Sequence, residues 1–110
     1  MSATPDTADA DLPPEDAKLV TLARSAQARS GAYEGAAVRD DFGRAYVAVT
    51  VDLPSLRLSA VQAAVAAAVA SGQSLLEAVA VVGPAHDLSP DDRAVLADVS
   101  VSTVLRRPAT

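Results

Sequence analysis

An α/β sandwich with a mixed sheet is predicted by three features of this chain. Segments with helical spacing alternate with segments of period-2 alternation in the order helix, strand, strand, helix, strand, helix, strand. A turn-forming "DDFG" at Asp40 to Gly43 separates the first two strand candidates and makes them a hairpin. The last two strand candidates are joined across a helix, and such a crossover lays them side by side and parallel.

At 110 residues the chain has the size of one small domain. Residues 1–12 read as a disordered acidic tail, residues 13–107 as the single domain and 108–110 as a short tail. Pro13 and Pro14 followed by Glu15 and Asp16 form a helix start, because ring-fixed φ angles and first-turn carboxylates both suit the exposed amides there. Leu19, Leu22, Ala23 and Ala26 recur at helical spacing, so the first helix runs from about Pro14 to Arg29, ended by Ser30 and Gly31. Gly35 to Arg39 is a short strand. A second strand sets Ala45, Val47, Val49 and Val51 on one face against Tyr46, Ala48 and Thr50 on the other, and Pro54 and Ser55 break it.

Leu58 to Gly72, "LSAVQAAVAAAVASG", is the next helix, capped by Ser59 and stopped at Gly72. Val61, Val65 and Val69 form its ridge, and so much alanine around them predicts a central helix covered on more than one side. "EAVAVVG" is a continuous apolar run expected as a strand buried on both faces. Ser89 then caps a helix reaching about Ala97, with Pro90 first and Asp91 and Asp92 in its first turn. "VSVSTVL" closes the chain as a strand with Val99, Val101, Thr103 and Leu105 on one side.

Composition excludes several functions. The formal charge is −5 and the nine basic residues are dispersed apart from Arg106 and Arg107, so no phosphate-tracking surface is expected and nucleic acid is not a predicted partner. Absence of cysteine removes disulfides, thiolate nucleophiles and the usual zinc ligands together. No apolar run reaches about 18 residues and the N-terminus is acidic, so neither a membrane span nor a signal peptide is expected and the cytoplasm is the expected location. With aromatics at 3%, the core is built from small aliphatic side chains, and a protein partner or a homo-oligomer is expected to add burial.

"ARSGAY" (Ala28 to Tyr33), "GAAV" (Gly35 to Val38), "DFGRAYVAVTV", the helix "LSAVQAAVAAAVASG" and "AVAVV" follow one another with the order and spacing of ARxNAY, GAAL, DGxxYxGxNV, LCAERxALxxAxxxG and AIAVV. On these residues the chain resembles the small cytidine deaminases. The resemblance implies a three-layer α/β/α cytidine deaminase-like sandwich, here truncated at the C-terminus. It also implies where the chemistry would sit: a zinc ligand at Ser59, the proton-shuttling glutamate at Val61, and two cysteines of a PCxxC in "SPDDRAV", around Asp91. A neutral hydroxyl is a poor zinc ligand, and Val61 moves no proton, a role worth roughly 10²- to 10⁴-fold. The expectation is therefore no metal, no cofactor and no catalysis: an inactive member acting as an interaction or regulatory module.

The family's ribose-holding pair aligns with Thr50 and Asp52, which leaves a non-catalytic nucleoside or nucleotide sensor as the alternative. Asp91 and Asp92 as ligands for a hard cation give way to their role as first-turn acids, and His86 beside Asp87 reads as an exposed loop residue. The resemblance also points toward a ribosome-assembly GTPase as a partner, with no residue of this chain behind it.

Overall fold

The first helix, α1 (Pro14–Ser30), starts on the predicted proline with Glu15 and Asp16 in its first turn, and it ends on Gly31 in the left-handed conformation, φ 66°. The computed structural model describes residues 11–85 and 87–109; residues 1–10 of the expected tail, His86 and Thr110 lie outside the described residues. After α1 come β1 (Gly35–Asp40), β2 (Ala45–Val49), β3 (Val51–Leu53), β4 (Leu56–Leu58), α2 (Ala60–Ala70), β5 (Leu76–Val82), α3 (Pro90–Asp98) and β6 (Thr103–Arg107).

Four strands form one sheet in the order β2-β1-β5-β6. β1 runs antiparallel to both β2 and β5, and β5 runs parallel to β6 across α3, as the crossover requires. Successive residues of β1 and β5 point to opposite faces, and each face has its own core. Ala37, Ala78, Ala80 and Val82 meet Leu19, Val20 and Ala23 of α1, while Ala36, Val38, Val79 and Val81 meet Val61, Ala64 and Val65 of α2 and Leu96 of α3. The protein is thus a three-layer α/β/α sandwich with a mixed sheet. Small residues set the layer spacing: a Cβ at Gly35 would run into the Ala23 carbonyl and lie 2.9 Å from Gln27 Cβ, so α1 sits directly on β1.

Two polar clusters fasten the end of the sheet near the hairpin turn. Arg39 of β1 pairs with Asp16 of α1 at 2.8 Å and with Glu77 of β5 at 3.0 Å; burial lowers its pKa, and those two partners more than offset it, so the net shift is upward. Asp40, fully buried, accepts from the Phe42 and Arg44 amides, both at 2.9 Å, and from the Tyr46 hydroxyl at 3.1 Å. Burial pushes the Asp40 carboxyl up. The hydrogen bonds from Arg44, Phe42 and Tyr46, with the Arg44 charge, outweigh it and bring the pKa below the ordinary value. Tyr46 is pushed up by burial and by donating to that carboxylate.

Three expectations are corrected. The second strand stops at Val49, and the chain then makes a separate ribbon, β3 and β4, in which Val51 pairs with Leu58 and Leu53 with Leu56. Pro54 and Ser55 turn this ribbon rather than ending a strand. The closing strand begins at Thr103 and not at Val99, because Val99 caps α3 and Ser100 takes φ 61° to turn the chain. The ridge of α2 is also shorter than expected: Val61 and Val65 are buried, but Val69 is 49% exposed and Ala66, Ala67 and Ala70 face outward with it. Within the chain α2 is covered on one side. Among the described residues no helix is long and apolar enough to cross a membrane.

Candidate functional site

The N-termini of α2 and α3 open on one cavity. Ser59 caps α2 in a reciprocal capping box: its Oγ accepts from the Gln62 amide at 3.0 Å, and its own amide donates to Gln62 Oε1 at 2.9 Å. Ser89 caps α3, its Oγ accepting from the Asp92 amide at 3.1 Å. Across the gap the Ser59 hydroxyl donates to Asp92 Oδ1 at 2.5 Å. Asp92 is 4% exposed, a buried carboxylate set between two helix N-termini whose partial positive charge favours it there.

The cavity, about 290 Å³, is lined by Tyr33, Glu34, Thr50, Ser59, Ser89 and Asp92, with Ala85 and the exposed Asp87 at its edge. Glu34 follows Tyr33 directly and is paired with Arg106, whose Nη2 lies 2.9 Å from Glu34 Oε2. Arg106 Nε also donates to the Ala85 carbonyl at 2.8 Å, tying that edge of the cavity to β6. Gly83 makes the close approach possible, since a Cβ there would lie 2.7 Å from Glu34 Cγ.

The sequence-predicted residues divide sharply. Ser59 and Thr50 line the cavity. Val61 is fully buried in the core beneath it, among Ala36, Val38 and Val79. Asp91 is exposed on the first turn of α3 and does not join the others. Its neighbour Asp92 takes the inward position, so the i, i+3 spacing of a two-cysteine motif falls on Ser89 and Asp92, not on a pair begun at Asp91. Counting that spacing from the cap residue would have found them.

Thr50 Oγ1 is engaged with the Glu34 backbone, accepting its N–H at 3.0 Å and donating to its carbonyl at 3.4 Å. Asp52 lies outside the cavity on the ribbon, 79% exposed and 3.3 Å from Arg57. Glu34 and Arg106 were not singled out by sequence reasoning, and no local pattern marks an ion pair that spans strands so far apart in the chain. Among the described residues there is no group of three or more His, Cys, Asp or Glu side chains that would hold a metal ion.

A mixed four-stranded sheet between helix layers, with two helix N-termini meeting at one end of it, places the protein among the three-layer α/β/α sandwiches. The cytidine deaminase-like family matches residues 12–109, and the chain belongs to that family. It is similar to the cytidine deaminase of Burkholderia pseudomallei, known from a crystal structure, with a TM-score of 0.70 and 26% identity over 82% of this chain and 83% of that one. No curated protein matches the sequence.

Proposed function

We propose that this chain is a catalytically inactive cytidine deaminase-like protein that works as an interaction or regulatory module. The observation that carries the reading is the Ser59–Asp92 hydrogen bond, with Val61 buried in hydrocarbon beneath it. Hydrolytic deamination needs a cation that lowers the pKa of its bound water, with a coordination position left open for it, and a carboxylate to carry protons. The residues here do not fit zinc. Ser59 and Ser89 offer neutral hydroxyls already engaged in capping, and Asp92 offers one carboxylate already accepting from Ser59. At the position of the proton carrier stands Val61, which has no titratable group and is sealed from the cavity.

The module reading draws on the surface of α2. Its sequence, AVQAAVAAAVA, contains no charged residue, yet Ala66, Ala67, Val69 and Ala70 face outward, as do Leu53 and Leu56 of the ribbon that leads into it. A helix apolar all round is one that expects cover on both sides, which supports a protein partner or a second copy. The module is taken to act in the cytoplasm. The nucleoside-sensor alternative loses support because the Thr50 hydroxyl is already used and Asp52 points away.

The test is direct: purified protein is assayed for bound zinc and for conversion of cytidine and deoxycytidine. Absence of both is expected. Either stoichiometric zinc or turnover overturns the reading.

A further inference from the structure

We propose that Ser59, Ser89 and Asp92 form an internal hydrogen-bonded tie standing where the family's metal would join these two helices, so that a carboxylate and not an ion fastens α3 to α2. The proposal rests on the reading of a metal-free site and deepens it. Three observations carry it. The tie uses one residue from the start of α2 and an i, i+3 pair from the start of α3, the arrangement a three-ligand centre requires. Each helix N-terminus presents unpaired amides and partial positive charge, and Asp92 brings the one full negative charge buried between them. Finally, Asp92 is the one polar side chain among the groups α3 buries, the others being Leu96 and the cap residue Val99, with Val95 packed beside them.

Electrostatically the exchange is consistent. A cation bound by thiolates carries excess negative charge to the helix ends, and a single carboxylate accepting from a hydroxyl and lying beside two caps does the same without a cation. Two further hydrogen bonds fix the helix starts that the contact joins. Ser59 Oγ both accepts from Gln62 and donates to Asp92, and Ser89 Oγ accepts from the Asp92 amide.

The test has two arms. In the first, Asp92→Ala, Ser59→Ala, their double variant and the exposed control Asp91→Ala are compared by thermal unfolding and by amide exchange in α3. Loss of a hydrogen bond to a buried carboxylate lowers the Tm of a domain this size by about 10 °C, whereas Asp91→Ala, which removes only an exposed first-turn charge, lowers it by no more than a few degrees. Because Ser59→Ala removes a cap as well as the contact, the double variant must lose less than the two single variants together. Additive losses, or an Asp92→Ala shift no larger than that of Asp91→Ala, overturn the proposal. If Asp92→Ala does not fold, Asp92→Asn, which keeps the shape but not the charge, supplies the same comparison.

The second arm is Ser59→Cys/Ser89→Cys/Asp92→Cys in one chain. It is expected to bind one zinc per chain and to gain Tm in its presence, whereas the parent protein responds to neither zinc nor chelator. A folded triple variant that takes up no zinc overturns the placement. A parent protein stabilised by zinc overturns instead the metal-free reading beneath it, so the two failures are distinguishable.

Discussion

Restoring the family's acid by Val61→Glu is expected to break the protein rather than revive it. Val61 is fully buried, part of the apolar cluster that includes Ala36, Val38, Ala64 and Val79, and is not among the residues that line the cavity. A carboxyl placed there must stay neutral, and raising its pKa from about 4 to above 7 costs about 4 kcal/mol at neutral pH. The extra volume of the side chain adds roughly 1–3 kcal/mol of overpacking. The total, about 5–7 kcal/mol, matches the lower part of the roughly 5–15 kcal/mol typical of domains, where a small aliphatic core places this one. The variant should therefore be largely unfolded at 37 °C, read by near-ultraviolet circular dichroism and by thermal unfolding, and inactive on cytidine. Val61→Ala, a truncation costing about 1–3 kcal/mol, should remain folded with a lowered Tm. A Val61→Glu protein with a Tm within 5 °C of the parent refutes the reasoning, since it would mean that the side chain at this position reaches water or a partner in the cavity.

Acid stability should depend on Asp40: its folded pKa lies below the unfolded value, so its contribution is present above the unfolded pKa near 4 and is lost as pH falls through the folded one. Asp40→Asn should accordingly flatten the acid limb of a Tm-against-pH curve below about pH 4, and an unchanged limb counts against that hydrogen-bonded turn. Gly35→Ala should lower stability by roughly 3 kcal/mol or more, because the new methyl meets the Ala23 carbonyl and no flexible side chain can yield, which chemical denaturation would measure. Isothermal calorimetry with cytidine, uridine and their monophosphates at millimolar concentration should show no binding; heat that disappears in Thr50→Val would revive the sensor alternative. If the bare face of α2 is covered by a second copy, sedimentation should find a concentration-dependent dimer in the parent and a monomer in Ala66→Glu/Val69→Glu.

The fold was legible because its periodicities are strong and its punctuation is explicit. Pro14, Gly31, Ser59, Ser89 and Pro90 end or start helices where local chemistry alone says they should. The short ribbon was not legible. Val51 to Leu58 has too few residues to establish a period, and Pro54 and Ser55 break a strand and turn a ribbon equally well. The closing strand reads four residues early because alternation in "VSVSTVL" continues through a segment whose hydrogen bonds go elsewhere, the Val99 carbonyl accepting from the Leu76 amide while Ser100 turns. Periodicity reports which side chains are apolar, not which backbone groups pair.

At the site the sequence revealed an absence more easily than a replacement. That Val61 is no acid follows from its name alone, whereas the value of Asp92 depends on a helix end 33 residues away, and within "SPDDRAV" only the helical register counted from the Ser89 cap distinguishes the exposed Asp91 from the buried Asp92. The first turn of a helix separates them: a rotation of about 100° per residue sends one carboxylate to water and the next into the cavity. Two helix N-termini that converge inside a protein need an anion whatever the protein does, and this need outlasts any reaction carried out there. Groups that satisfy the helix ends are therefore what the fold requires at this place, metal or no metal. Two serine caps and one aspartate meet that condition here: Ser59 and Ser89 cap the two helices, and Asp92 accepts from Ser59 between them.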